Sequence, residues 1–369
     1  MTTAGKQITS TFTADGKLTV ALNDQLFADP TGFQVLVRIE AAPINPSDLA
    51  LLFGPADLAN ADYTPGRIVA PMPAAAMGFM AGRTGDVMPV GNEGAGTVIA
   101  AGDEPYAQGL IGKRVSCRSG ATYASHALCD ARTCMPLPEN ISAEQGAAAV
   151  VNPLTALCFV ETMRNDGFTG LIHTAAASNL GQMLVKLCAE ENIPLVNVVR
   201  SDEQVAILKA IGAENIVNSA DADFFGQLVS AIAKTGAMMA FDAIGGGKMA
   251  ATLLTAMEAV AGKGAAYNRY GSDVPKQVYI YGMLDTGPTI LNRTFGFSWD
   301  VGGWLLTPLL AKMGAEGIGR LAAWVIAGLT TTFASSYKAR VSLEEMLTRD
   351  VAMAYNAKAT GEKYLVMPV

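Results

Sequence analysis

Residues 172–182 read IHTAAASNLGQ, and how this stretch folds decides the architecture around it. Ile172 and His173 end a short apolar run, and from Leu180 onward apolar residues recur at Leu180, Met183, Leu184, Leu187 and Cys188, the spacing of one helix face. A strand, a turn of small residues and a helix are what a dinucleotide pyrophosphate requires, because the helix N-terminus then faces it. Of the three glycines in the usual GxGxxG turn only the last is present, as Gly181, and the first two positions fall on Ala176 and Ser178. Alanine and serine are small enough for close approach if the backbone there needs no positive φ. Taken alone, the stretch reads as a weakened nucleotide loop or as an ordinary βα turn.

The downstream sequence extends the pattern. PLVNVVR, ENIVNS, AMMAFDAIG, KQVYIYGML and TILNRTFGFSW read as strands, and SDEQVAILKAIGA, DFFGQLVSAIAKT and KMAATLLTAMEAVA read as the helices between them. Apolar strands alternating with helices predict an α/β unit with a doubly wound parallel sheet. Its second strand ends at Arg200, nineteen residues after Gly181, where an acidic residue would bind the ribose hydroxyls of NAD. A cation there suits a 2′-phosphate and points to NADP(H). The plainer alternative is a solvated arginine beside Asp202 and Glu203.

The first 150 residues are different in kind. QVLVRIEAAPIN, GTVIAAG and GKRVSCRSGATYASHALC alternate apolar and polar residues between turn formers, which predicts a β-rich unit. Residues 54–90, rich in Gly, Ala, Pro and Met, show no period and read as a disordered stretch or a covering loop; Met72, Met77 and Met80 within it read as packing or lid. After Trp299 a helical region over 302–328 precedes a last helix and a short strand, so the expected organisation is a β-rich domain at 1–150 and 300–369 around a dinucleotide-binding domain at 151–299.

A chain of 369 residues exceeds what one core organises. A net charge of −7 supplies no basic excess for nucleic acid. The first residues lack a basic region followed by an apolar core, so no secretory signal is expected and a cytoplasmic location is. Two candidate membrane stretches, 294–312 and 320–338, are interrupted by Asp300 and Pro308 or too short and too rich in Thr and Ser, and read as core or interface segments. Five cysteines without CxxC spacing and two histidines, His126 and His173, predict reduced buried thiols, a structural His126 and no metal site.

Several runs in one order, APINPSDL (42–49), VGNEGAGTVIAAG (90–102), VVNPLTAL (150–157), the loop itself, NVVRS, LKAIGAENIVNS and FDAIGGG, resemble the medium-chain dehydrogenase/reductase superfamily. The similarity is to its zinc-independent branch of NADPH:quinone oxidoreductases and 2-enoyl thioester reductases. That resemblance implies a GroES-like β-rich catalytic domain joined to a Rossmann domain. It implies Ala176, Ser178, Asn179, Leu180 and Gly181 at the pyrophosphate, Arg200 with the adjoining Ser201 at the 2′-phosphate, and Lys358 as a further phosphate contact. Gly245 and Gly246 would pass the nicotinamide ribose, Tyr281, Gly282, Met283 and Phe297 would line the nicotinamide side, and Asn45, Asn152 and Thr155 would form the active-site floor. NPSD and GNEG stand where the zinc enzymes carry metal ligands. NPSD is also good turn chemistry, so Asn45 and Asp48 have a purely structural reading.

Two stretches depart from the resemblance. The thioester reductases carry a proton-donating tyrosine shortly after NPSD, and here LALLFGPADL has none; Tyr63 is the nearest, and an exposed loop tyrosine is its plainer reading. The connection 262–278 is long and adds Tyr267, Arg269 and Tyr270. Without a metal, hydride transfer to a quinone or enone relies on positioning and hydrogen-bond donors, with protonation by Tyr63, another insertion tyrosine or water. A 2-enoyl thioester reductase and a non-catalytic NADPH-binding protein are the alternative readings. A homodimer with a small electrophilic substrate is expected.

Overall fold

The computed structural model describes residues 2–361 and 363–368. Its contacts gather into two compact units, one of the described residues up to Val151 and from Val325 onward, the other Asn152–Trp324.

In the second unit six strands form one parallel sheet: β1 (Leu171–His173), β2 (Leu195–Val199), β3 (Asn215–Asn218), β4 (Met239–Asp242), β5 (Lys276–Ile280) and β6 (Trp299–Gly303). Their spatial order is β3-β2-β1-β4-β5-β6, all neighbours parallel. This is the doubly wound order, in which the chain reverses direction across the sheet between β1 and β4 and opens a crevice at their carboxyl ends. Every residue of β2 is buried, as expected of a strand covered on both faces. The helices are α1 (Asn152–Asn165), α2 (Asn179–Glu190), α3 (Asp202–Ala210), α4 (Phe224–Thr235), α5 (Met249–Ala261) and α6 (Leu306–Ala327). Leu228 and Ile232 of α4 and Leu253, Leu254 and Met257 of α5 pack with Val196, Val198 and Val278 of the sheet into one core.

Two readings of this region change. Residues 289–299 do not form the expected strand, because Arg293 (φ 58°) and Gly296 (φ 68°) turn the chain out of extended geometry. Instead Asp285–Thr289 pairs with Gly245–Gly247, and β6 starts at Trp299. Residues 300–324, given to the first domain on sequence grounds, here belong with the parallel sheet: β6 pairs with β5, and Arg320 of α6 reaches Glu161 of α1 at 2.9 Å.

The first unit is built on two mainly antiparallel sheets. One orders Asp62–Thr64, Arg67–Pro71, Lys17–Phe27, Thr3–Phe12 and Val87–Pro89 side by side. The other centres on Gln34–Pro43, flanked by Glu93–Ala101 and the C-terminal strand Tyr364–Val366, with His126–Asp130 also pairing to it. Residues 54–90 are therefore not a structureless loop; they supply three strands and are pinned from within. Arg83 donates to the Leu51 carbonyl (3.0 Å) and to Ser10 Oγ (2.9 Å), and Met80 is buried.

Candidate functional site

The loop after β1 has the compactness that a nucleotide turn needs. A Cβ on Gly181 would lie 2.1 Å from the Ala176 carbonyl oxygen, so only glycine lets the first turn of α2 fold back onto Ala176. Ser178 caps α2, its Oγ accepting from the Gly181 amide at 3.1 Å, and Asn179 and Leu180 follow in the first turn. Ala176 is fully buried and donates its amide to the Val198 carbonyl of β2. The strained residue is Ala175, at φ 52°; neither Ala176 nor Ser178 needs a positive φ. These residues fit a pyrophosphate by their packing: a helix of full length, side-chain capped, starting from a turn too tight for larger groups.

At the end of β2, Arg200 is exposed and its amide donates to Gln204 Oε1 at 3.0 Å. Ser201 caps α3, and Asp202 turns away to accept from Asn218 Nδ2 at 3.1 Å. The acidic residue nearest Arg200 on α3 is thus partly engaged by β3.

Across the crevice, the buried Asp242 carboxylate organises the loop after β4. It accepts from Thr174 Oγ1 (2.6 Å) and from the amides of Ile244 (3.0 Å) and Gly245 (3.1 Å), and Thr174 Oγ1 in turn accepts from the Ala243 amide (2.8 Å). The backbones of 243–247 and 282–285 consequently run in contact: a Cβ on Gly245 would meet the Gly282 oxygen at 2.6 Å, one on Gly282 the Ala243 oxygen at 2.6 Å, and one on Gly246 Asp285 at 2.7 Å. Gly245, Gly246, Gly282 and Tyr281 are brought together. Tyr281 Oη lies 2.7 Å from Nε2 of the fully buried His173. Burial drives His173 down to about 3, so its imidazole stays neutral.

The other residues assigned to the site differ in exposure. Phe297 is 78% exposed and meets Tyr270 edge-on at 6.2 Å, lining a shallow dent with Asn268 and Ser272, and Met283 is exposed. Arg293 and Gly296 carry Phe297 outward. Thr155 is buried in α1, which begins at Asn152.

In the first unit, Asn45 precedes the helix Pro46–Leu52 and is buried with two carboxylates. Its Nδ2 donates to Glu93 Oε1 at 2.8 Å, while Glu93 Oε2 accepts from the amides of Val150 (3.0 Å) and Val151 (2.9 Å). Asp48 accepts from the amides of Asn45 and Asn92, each at 2.8 Å. Burial pushes Asp48 up to about 6 and Glu93 up to about 7, and the charge of Lys363 acts against both shifts. Lys363 Nζ is buried without a hydrogen-bond partner among the described residues, 6.0 Å from the Tyr337 ring, and burial lowers its own pKa.

Tyr63 is committed elsewhere in this unit. Its hydroxyl donates to the Leu58 carbonyl at 3.0 Å, the Arg349 guanidinium lies over its ring at 5.8 Å, and it lines an open groove of about 680 Å³ with Lys6, Glu344 and Thr348. Lys358, also in this unit, is exposed with φ 52°. His126 stacks obliquely on Phe27 and touches Ser125 Oγ at 3.1 Å. All five cysteines are buried and unpaired. Among the described residues no group of three or more His, Cys, Asp and Glu side chains is arranged to hold a metal, and no helix is long and apolar enough to cross a membrane.

His173, Asp242 and Thr174 have no role in the sequence reading. The available signal was a polar residue ending an otherwise apolar strand, in LIH and in MAFD, at the carboxyl edge where a doubly wound sheet binds ligands.

Comparison with known proteins agrees with this geometry. No family model matches the chain. It is 30% identical over 208 residues to the mitochondrial enoyl-[acyl-carrier-protein] reductase of Caenorhabditis elegans, covering 54% of this chain and 52% of that protein; the chain thus spans about half the length of the curated relatives it matches. A structure solved as a candidate NADPH:quinone reductase of Mesorhizobium loti superposes with a TM-score of 0.76 at 26% identity, over 99% of this chain and 98% of that one. Escherichia coli quinone oxidoreductase, crystallised with NADPH, superposes with a TM-score of 0.70 at 18% identity, over 99% and 100%.

Proposed function

Because the chain belongs to the medium-chain dehydrogenase/reductase superfamily, we propose that it is a zinc-independent NADPH-dependent oxidoreductase acting on a conjugated acceptor such as a quinone or enone. The observation that carries the reading is Arg200, an exposed cation at the carboxyl end of β2, where its guanidinium would take the 2′-phosphate. Ala176, Ser178, Asn179, Leu180 and Gly181 would receive the pyrophosphate at the start of α2, and Ser201 and Lys358 are further candidates for the phosphate. Gly245 and Gly246 would leave room for the ribose, beside Tyr281 and Gly282. When bound, the reduced nicotinamide supplies a hydride.

The chain's own contribution is positioning and hydrogen bonding. Asn152 and Thr155, in the second unit, are the polar groups proposed to orient the acceptor and stabilise the negative charge it develops, a role in which a fixed donor contributes roughly 3–4 kcal/mol. Asn45, held by Glu93 in the first unit, is proposed separately as a catalytic candidate. Quinones and enones suit such a site because their anions are delocalised. Water is the favoured proton source, since the Tyr63 hydroxyl is spent on Leu58. The similarity to enoyl-acyl-carrier-protein reductases supports a second reading, reduction of a 2-enoyl thioester.

NADPH oxidation by the purified protein, followed by absorbance with a small quinone in one cuvette and a 2-enoyl thioester in another, separates the two. Quinone-dependent turnover alone is expected. Thioester-dependent turnover would transfer the assignment to the second reading, and NADPH binding without turnover on either would make the chain a non-catalytic NADPH binder.

A further inference from the structure

His173 has one proton to place and two ring nitrogens to place it on, since its imidazole is neutral. Nδ1 is buried and has no hydrogen-bond partner among the described residues. Nε2 faces Tyr281 Oη at 2.7 Å. Were the proton on Nδ1, a buried N–H would be orphaned, among the least tolerated defects of a protein interior; a bare nitrogen lone pair there costs less. The Nε2–H tautomer is therefore the stable one, and the imidazole donates to the phenol oxygen.

That assignment frees the phenol's own hydrogen. The Tyr281 hydroxyl has no second hydrogen-bond partner among the described residues; the residue is only partly buried, and burial holds the phenol above its usual range, so it stays protonated. Its ring is fixed by the near-parallel His173 (18° between planes) and by the edge of Phe159 at 4.9 Å. It stands just past the carboxyl end of β5. In this strand order the loop after β1 and Arg200 after β2 take the phosphates and the adenosine half, which leaves the ends of β4 and β5 to the nicotinamide half.

Resting on the NADPH reading above, we infer that Tyr281 donates a hydrogen bond to the carboxamide oxygen of the nicotinamide ring, with His173 as the positioning residue that directs the hydroxyl there. The pair sets the orientation of the ring about its glycosidic bond without touching the 2′-phosphate.

Isothermal titration of the full chain with NADPH and with its thionicotinamide analogue, in which a weakly accepting sulfur replaces that oxygen, tests this without turnover. Wild type is expected to bind NADPH about tenfold tighter than the analogue, and Tyr281→Phe to bind both equally, at about the wild-type affinity for the analogue. The preference for NADPH over NADH should be the same in both proteins. His173→Gln, whose amide N–H can replace Nε2–H, should keep the discrimination, and His173→Phe should lose it. Equal binding of the two ligands by wild type, or discrimination that survives in Tyr281→Phe, overturns the inference and leaves the NADPH reading standing. Failure of wild type itself to bind NADPH overturns that reading and the inference with it.

Discussion

Ala175 carries the backbone strain of the nucleotide loop. A left-handed conformation costs an L-residue roughly 1–2 kcal/mol, and glycine returns about 0.5–1 of that through the greater freedom of the unfolded chain. Ala175→Gly is therefore expected to stabilise the second unit by about 0.5–1 kcal/mol. All three tryptophans, Trp299, Trp304 and Trp324, lie in that unit, so the midpoint of tryptophan fluorescence in a thermal melt reads it directly; a lower midpoint would mean that Ala175 is not strained. At Arg200 the expectation concerns discrimination. Arg200→Ala should weaken NADPH about tenfold or more and leave NADH unchanged, and an equal loss of both in the ratio of Michaelis constants would remove its role. The small residues of the loop were legible because close packing demands them. Which position takes the positive φ was not, because residue size does not report backbone angle.

Glu93 makes the third case at this scale, and its effect runs with pH. Asp48 and Glu93 hold their protons more tightly in the folded chain, at about 6 and about 7 against ordinary values of 3.8 and 4.5. The stability this confers is complete below the ordinary values and is lost as pH rises through 6 and 7. Glu93 alone accounts for a loss on the order of 3 kcal/mol across that window. Glu93→Gln cannot ionise, so calorimetric midpoints measured between pH 4.5 and 8 should fall less in this variant than in wild type; parallel curves would show that Glu93 does not titrate there. Its amide oxygen can serve Val150 and Val151, while its NH₂ requires the Asn45 amide to turn and accept. Asn45 and Glu93 were each visible in NPSD and GNEG, but their bond and the buried Lys363 beside them join parts of the chain that local patterns do not connect.

At the scale of elements, the connection 262–278 shows how a long insertion is held with little secondary structure. Lys276, whose side chain is fully buried, pairs with Glu258 of α5 at 2.7 Å and donates to Ser272 Oγ (3.1 Å) and the Val274 carbonyl (2.8 Å). Glu258 also accepts from the Ser272 amide at 2.7 Å. Burial acts to raise the Glu258 carboxyl, but its bonds to Lys276 and Ser272 prevail and hold it below the usual range. Removing the cation leaves that carboxylate uncompensated, so Lys276→Met should cost about 3–5 kcal/mol in urea unfolding read by tryptophan fluorescence, and adding Glu258→Gln should restore part of it. Additive losses would mean that the two side chains act independently. Strands and helices with a sustained period were readable throughout this unit. The stretch 289–299 was misread because Ile290, Leu291, Phe295 and Phe297 have strand composition, while the turn at Arg293 and Gly296 is a matter of backbone angle. Residues 54–90 were missed for the converse reason: their strands are only three to five residues long, too short for alternation to register.

For the whole molecule, the parallel sheet leaves β6 at its edge, and an unpaired edge strand is a template for another chain unless it is covered. Near it in sequence the chain exposes Met283 (65%), Leu284 (48%), Ile290 (46%) and Leu291 (36%), apolar side chains whose exposure marks an interaction surface where they adjoin. The apolar character of 294–330 suggested an interface from sequence, and Phe297 (78%) and Leu305 (67%) are exposed within it; the Asp285–Thr289 strand just before it is held by Gly245–Gly247 on one side and has every residue exposed. The homodimer expected from the sequence would bury this surface around a twofold axis, so each substitution would act twice. Leu284→Glu with Ile290→Glu places four charges in such an interface and should convert a dimer to a monomer in light scattering coupled to size exclusion, with the tryptophan melt of the second unit shifted only by the loss of the partner. A wild-type protein that is monomeric at micromolar concentration removes the dimer outright; a dimer that survives both substitutions moves the interface away from this strand.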